Sequence, residues 1–466
     1  MTNGRATPST PAELPGSDRR RWTALAFISV AQLMLALDAT VTNIALPSAQ
    51  TDLGFSDAQR QWVVTAYTLA FGSLLLLGGR LSDQLGRARA FRTGLVGFTA
   101  ASALGGSATN FGTLVAARGL QGAFAALLAP TALALLATTF SEPRERARAF
   151  AIFGAIAGSG GVLGLVLGGV LTEALTWRAC LYVNVPVAVL AAFGTRYAAS
   201  RPGAVRRSRL DLIGALLSAG GLSAIVYGAA QNSSRIVPIS TGIALLAAFA
   251  VRESRTPEPL LPPRILRDRN RIGACLAVAC GVAGMLATFL FLTYYLQEVL
   301  GCTPVQAGLA FLPLSAAVFA SSQLLAARLQ ARVAPRALIA SGLLVAAAGL
   351  GLLTGLAPGG SYATDVLPAE ILLGIGMGCV FPTAISSATS RVDPREAGVT
   401  AAVVNAAQQI GGSIGVAVLN TVAVAAAGPS GGYAPAAFWA ASTLVVGALV
   451  SAVLINARAP HRGGER

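Results

Sequence analysis

Apolar runs of about twenty residues follow one another along almost the whole chain, separated by short turns rich in arginine, glycine and proline. A run of that length, wound as an α-helix, matches the hydrocarbon thickness of a bilayer. Inside hydrocarbon only helices and closed barrels satisfy their own backbone polar groups. Of the 466 residues, 54% are hydrophobic and 11% charged, against about 25% charged in an ordinary soluble domain. So few charges cannot cover a soluble protein of this size. The composition excludes a soluble enzyme, a disordered chain and a fibre, and leaves an all-α polytopic membrane protein.

Fourteen candidate spans are read from hydropathy and turn signals. They lie near 22–46, 61–80, 92–109, 111–134, 148–172, 178–196, 211–230, 236–251, 273–297, 306–327, 337–356, 366–388, 398–424 and 435–456. The arginines test that count. With a cytoplasmic N-terminus, 30 of the 34 basic residues, all of them arginine, fall in inside loops and tails. Arg60, Arg178 and Arg235 fall outside and Arg118 within a span. That split follows the positive-inside rule and puts both termini in the cytoplasm. The absence of lysine beside abundant Ala, Gly and Arg points to a high-GC bacterial genome, hence to a bacterial cytoplasmic membrane.

The sequence also repeats itself. Pro130-Thr131-Ala132 returns as Pro382-Thr383-Ala384, Pro143-Arg144-Glu145 as Pro394-Arg395-Glu396, and Gly161/Gly164 as Gly412/Gly415. Eight spans separate the copies, so they face the same way, and two extra helices separate two six-helix halves. The expected organisation is a cytoplasmic tail (1–21), an N-terminal six-helix bundle (22–200), two inserted helices with linkers (201–260), a C-terminal six-helix bundle (261–457) and a second tail (458–466).

Charges inside spans are the candidates for chemistry, because each is costly to insert, at least about 2.5–3.5 kcal/mol for a carboxylate near the centre. Asp38 lies well inside the first span, with Thr42 one turn on along the same face and Asn43 beside it. Burial disfavours the charged form of a carboxyl, so Asp38 is suited to take up and release a proton. Arg118 in the fourth span needs a polar cavity or a carboxylate partner, and Gln121 follows it by one turn. Glu370 lies about one turn inside its span and is a candidate for substrate or proton contact. Tyr294, in an aromatic cluster with Phe289, Phe291 and Tyr295, is a candidate cavity wall. Gly160, Gly164 and the pair Gly168-Gly169 recur every four residues, the spacing that lets helices approach closely or slide. In the loop Gly79-Arg80-Leu81-Ser82-Asp83-Gln84-Leu85-Gly86-Arg87, Asp83 is placed to latch the cytoplasmic side against an arginine or a helix N-terminus.

Other chemistries find no residues. The five cysteines have no metal-like or paired spacing, and the only histidine is His461 in the tail. There is no nucleophile triad and no phosphate-binding loop, so neither an enzyme nor direct use of ATP is expected. A sensor or scaffold would have no use for two intramembrane charges and a full repeat. No cofactor beyond a proton gradient is expected, and no nucleic-acid partner.

Over nearly its whole length the chain resembles the fourteen-helix drug:proton antiporters of the major facilitator superfamily. Segment 37–47 is similar to that branch's first-helix motif. Gly79, Leu81, Asp83, Gly86 and Arg87 match the superfamily's loop motif, and Arg118, Gln121, Gly122 and Ala126 its fourth-helix motif. Trp177-Arg178 with Asn184-Val185-Pro186, and Gln297 with Gly301, Gly308 and Pro313, also resemble this branch. The sequence departs in the fifth helix, where Leu165 replaces the usual proline, and at Ala88, where a second basic residue is common. The resemblance implies proton-coupled export of hydrophobic or cationic drugs or antibiotics by alternating access, with Asp38 as the proton-linked carboxylate, Arg118 as its coupling partner and Asp83 as the cytoplasmic gate. The alternative within transport is a dedicated exporter of one natural metabolite, such as a self-made antibiotic, amino acid or lipid. In either case the partners are a small hydrophobic substrate, protons and the bilayer, and the working unit is expected to be the monomer.

Overall fold

A computed structural model of the chain describes residues 17–140, 142–194, 211–229, 235–256, 259, 261, 267–330, 332–356, 359–389, 397–426 and 433–456. The expected tails, except 17–21, and the linker at 201–210 lie outside the described residues, as does the side chain of Asp83.

Every regular element among the described residues is helical. The first half comprises α1 (Ser17–Leu53), α2 (Asp57–Leu85), α3 (Arg87–Gly106), α4 (Phe111–Thr139), α5 (Pro143–Ala174), the short α6 (Ala179–Tyr182) and α7 (Asn184–Gly194). Then come α8 (Leu212–Ala229) and α9 (Ile236–Arg255). The second half comprises α10 (Arg269–Tyr294), the run α11 (Pro304–Ala310), α12 (Leu312–Ser321) and α13 (Ala327–Leu329), then α14 (Pro335–Leu352), α15 (Leu367–Thr389), α16 (Ala397–Ala425) and α17 (Tyr433–Leu454). Each expected span coincides with one of these helices or with a broken run of them. Among the described residues, eleven helical stretches are long and apolar enough to cross a membrane. The chain is a multi-pass membrane protein, and its outer surface agrees: large apolar side chains such as Leu216, Phe319 and Ile236, the last 83% exposed, point away from the protein.

Local chemistry explains the breaks. Ser56 and Gln59 form a reciprocal capping box that starts α2, and Thr303 with Gln306 does the same for α11. Gly86 joins α2 to α3 with φ of 82°, a conformation that only glycine adopts without strain. Pro313 at the start of α12 and the break at Phe311 divide the tenth expected span. The π-helical turns Tyr295–Val299, Ser322–Ala326 and Tyr362–Val366 punctuate the second half.

The two halves repeat the same packing. α1 packs on α5 as α10 packs on α16; α3 on α4 as α14 on α15; α2 on α4 as α12 on α15; and α3 on α7 as α14 on α17. Between the halves, α2 meets α16 and α5 meets α11, again a matched pair of seams. The α8–α9 pair stands beside them, touching α2 and α16 through α8. Its ends are clipped together: Asp211 caps α8 by accepting from the Gly214 amide at 2.8 Å and pairs with Arg252 of α9 at 2.8 Å. Burial works against the Asp211 carboxylate, but that amide and guanidinium outweigh it and hold the group below the usual carboxylate range.

Helices in lipid approach closely only where side chains are small. A Cβ on Gly122 of α4 would lie 2.3 Å from the Tyr67 carbonyl of α2, and one on Gly78 would lie 2.1 Å from the Ala126 carbonyl. Neither neighbour is a side chain that can rotate away. Gly122→Val is therefore expected to push α2 and α4 apart at a cost of about 1–3 kcal/mol or more, read as a lowered midpoint in thermal unfolding of the detergent-purified protein.

Candidate functional site

At the centre of the first half, five helices send side chains to one point. Asp38 of α1 is fully buried, and Arg118 of α4 is 1% exposed. Arg118 Nη1 donates to Asp38 Oδ2 at 2.7 Å and to Gln121 Oε1 at 3.0 Å, while its Nε donates to the Val63 carbonyl of α2 at 3.1 Å. The other carboxylate oxygen, Oδ1, accepts from Gln121 Nε2 at 2.9 Å and from Asn184 Nδ2 of α7 at 2.7 Å. Both amides also reach the Ser102 hydroxyl of α3, at 2.8 and 3.3 Å. The Tyr67 ring lies under the guanidinium at 4.4 Å. A buried charge is tolerable only when paired and hydrogen-bonded, and here both oxygens of the acid are occupied by donors. Arg118 is the charged partner of Asp38 in this network.

Arg118 and Tyr67 also face a cavity of about 220 Å³ between the halves. Ala39, Thr42, Asn43, Val64 and Thr68 line it from the first half, and Val282, Leu286, Phe381, Gln408 and Gln409 from the second. Asn43 Nδ2 bonds the Ala39 carbonyl, but its Oδ1 has no partner, and Asn43 is 1% exposed. The cavity is thus mixed: apolar walls, several amides and hydroxyls, and one guanidinium. Thr42 turns its hydroxyl back to the Asp38 carbonyl at 3.2 Å, linking the cavity wall to the helix turn that carries the acid.

The remaining candidates lie elsewhere. Gln121 belongs to the Asp38 network and does not line the cavity. Glu370 is buried in α15, in contact with Tyr362. Tyr294 sits at the end of the bundle opposite the N-terminus of α1, where its hydroxyl donates to Gln50 at 2.5 Å. Arg60 stacks on the Tyr294 ring at 4.2 Å and donates to Asn420 of α16 at 3.0 Å, and Asn420 in turn donates to the Asp57 carbonyl. Arg60, taken as a loop residue in the arginine count, is in the first turn of α2 and 3% exposed. With Gln297 donating to the Ile44 carbonyl at 3.0 Å, these contacts tie α1 and α2 to α10 and α16 and shut that end of the cavity.

The glycines of α5 divide between two neighbours. A Cβ at Gly160, Gly164 or Gly168 would strike Ala36, Thr40 or Val41 of α1, directly around Asp38. Gly169 instead faces the backbone of Pro304 in the other half. A Cβ added at Gly79 would meet Pro130 at ordinary van der Waals distance, and Arg87 opens α3. The sequence missed Ser102, Tyr67, Gln408, Gln409 and Phe381 as parts of the site. Asn184 was visible only as part of a motif.

A family model described as Major Facilitator Superfamily matches residues 28–416. The chain belongs to that superfamily. Among its relatives, the puromycin resistance protein of Streptomyces alboniger is 50% identical, over 97% of this chain and 95% of the relative. The cephamycin export protein of Amycolatopsis lactamdurans is 40% identical, over 86% of this chain and 84% of the relative. Among solved structures, a peptide transporter crystallised with sulfate superposes with a TM-score of 0.69 at 16% identity, covering 96% of this chain and 95% of that one. That likeness concerns the fold alone.

The network predicts its own sensitivity. Asn184→Leu removes one donor from a buried carboxylate, a loss of about 1.5–3 kcal/mol. Arg118→Ala leaves the carboxylate unpaired, a loss of about 3–5 kcal/mol. Thermal unfolding should rank them in that order below wild type, and Asp38→Asn with Arg118→Ala should recover part of the Arg118→Ala loss.

Proposed function

We propose that the chain is a proton-coupled exporter of hydrophobic small molecules of the antibiotic class, working by alternating access across the bacterial cytoplasmic membrane. The observation that carries this reading is the Asp38–Arg118 pair, whose arginine is shared between the proton-binding carboxylate and the wall of the cavity between the halves. Protonation of Asp38 would release Arg118 from its closest partner and change the charge presented to the cavity. A substrate contacting Arg118 or Tyr67 would in turn favour one protonation state. That reciprocity is what coupling two ligands requires. Proton binding and substrate occupancy then bias the halves between a state closed at the Arg60–Tyr294 end and a state closed at the other.

The arginine distribution supports both termini on the cytoplasmic side and fourteen crossings, with α3, α5 and the α6–α7 pair completing the eleven long apolar stretches. On this orientation the Arg60–Asn420–Tyr294 cluster is the outer gate, and the Gly79–Arg87 loop with Asp83 lies at the inner one. The two halves with the inserted α8–α9 pair form one working monomer that needs no cofactor other than the proton gradient. A dedicated exporter of one metabolite is the second reading, favoured by relatives whose names each specify one compound, puromycin or cephamycin.

In proteoliposomes under an imposed pH gradient, wild type should move puromycin or a fluorescent lipophilic cation, and Asp38→Asn should fall to the rate of empty vesicles while inserting normally. Gradient-driven flux retained by Asp38→Asn would refute the role of that carboxyl. Movement of puromycin with indifference to the cation and to other drugs would select the dedicated exporter. Arg60→Ala should weaken the outer seal, measured as faster labelling, by a membrane-impermeant thiol reagent added from outside, of a cysteine placed at Asn43 in a cysteine-free background.

A further inference from the structure

A second cavity, of about 350 Å³, lies outside the central one, between the inserted pair and the bundle. Of that pair, α8 packs on α2 and α16, whereas α9 packs on α8. The space between α9 and α10 is left to the cavity. Leu246 and Phe249 line it from α9, Cys275 and Leu276 from α10, and Ser218 from α8. Leu276 is 42% exposed, so this flank faces the bilayer.

The walls also give its depth. Ala215, Phe249 and Arg271 stand in the turns of α8, α9 and α10 near the Asp211–Arg252 clip. On the orientation above those are the cytoplasmic ends, and the cavity lies at the level of the inner leaflet.

Its surface is almost wholly hydrocarbon. The hydroxyls of Ser73 and Ser218 turn back to their own helices, donating to the Leu69 carbonyl at 2.7 Å and the Ala215 carbonyl at 3.0 Å. Water does not settle in an apolar cavity of this kind, and an empty one forfeits the contacts of every side chain around it. The medium that borders it supplies acyl chains.

One end differs. Arg271 is the only charged residue lining the cavity among the described residues, and its Nε donates to the Ala388 carbonyl of α15 at 3.1 Å. That bond fixes the guanidinium at the cytoplasmic floor. On the same ends of α2, α9 and α10, Arg80, Arg252, Arg255, Arg267 and Arg269 join it, against Asp211, Glu253 and Asp268. Each of those acids already has protein donors. Asp211 takes the Gly214 amide and Arg252, Glu253 the Leu261 amide at 2.8 Å, and Asp268 the Asn270 amide at 2.9 Å. The surplus of charge is positive, and it complements a phosphate headgroup.

We propose that this cavity binds an anionic phospholipid of the inner leaflet, with one acyl chain between α9 and α10 and the phosphate at Arg271. The proposal takes from the reading above only the orientation in the membrane. The lipid joins α9 to the bundle where protein packing does not. It also stands behind the central cavity. Gly72 lines the lipid site, and a Cβ on it would lie 2.8 Å from that of Gln409, which lines the central one. The chain thus braces the α2–α16 seam from its outer side.

Native mass spectrometry of the full chain in detergent, titrated with phosphatidylglycerol and with phosphatidylcholine of the same acyl chains, tests this. Wild type should hold a phosphatidylglycerol about tenfold more tightly than a phosphatidylcholine, and only the former should raise the midpoint of thermal unfolding. Arg271→Gln should lose the preference. Ser218→Trp, which fills the cavity from α8, should lose both the adduct and the thermal shift while still unfolding in one transition. Equal affinity for the two lipids in wild type, or an adduct and shift unchanged in Ser218→Trp, overturns the proposal. Puromycin displacing the phosphatidylglycerol from wild type would make the cavity a waiting site for the transported molecule, and overturns the lipid assignment as well. No arm depends on proton-driven flux, so failure of the exporter reading and failure of the lipid site are read separately.

Discussion

A single buried ion pair organises the first half of the molecule. Asp38 and Arg118 are inserted from different helices into a region where neither is tolerable alone, and the cost of each is offset only when the other is in place. Because both oxygens of the acid and three nitrogens of its neighbours are engaged, α1, α2, α3, α4 and α7 are fixed in rotation about their axes, and not merely held in contact. The stripe of Gly160, Gly164 and Gly168 follows from the same demand: α5 must lie against the very turns of α1 that carry the acid, so its side chains there are reduced to hydrogen. The described core of the second half is held by apolar packing, phenyl and phenol contacts and backbone capping.

The cavity inherits an asymmetry from this. One wall is set by a rigid polar lattice behind Arg118, and the other is made of Val282, Leu286, Phe381 and two glutamines. A molecule bound between them would meet the Arg118 guanidinium on one side and a soft surface on the other. Preorganised dipoles on one side and adaptable contacts on the other suit a site that recognises bulky, largely apolar molecules.

Much of the architecture was legible in the sequence. Hydropathy and arginine placement gave helix locations to within a few residues, because hydrocarbon leaves the backbone no other option. The repeat was visible because both halves solve the same packing problem with the same prolines and glycines. Asp38 and Arg118 stood out because intramembrane charge is rare. What surrounds them was not legible: Ser102, Asn184 and Tyr67 are ordinary residues in a sequence, and their meeting depends on helix rotation and depth, which pattern alone does not fix. Arg60 was misjudged for a related reason, since a charge at a helix start reads as a loop residue until a partner such as Asn420, 360 positions away, is seen to receive it.

The seam between α5 and α11 is made largely of backbone. Gly169 lies against the Pro304 carbonyl and Gly308 against that of Leu165, so a rotation there has few interlocked side chains to unthread. α5 is 32 residues long, about 48 Å at 1.5 Å per residue. Treated as a lever pivoting at this end, a tilt of roughly ten degrees sweeps its far tip through about 8 Å of that length scale. Two glycines in register thus convert a small angular change, with little friction, into an aperture wide enough for a drug-sized molecule.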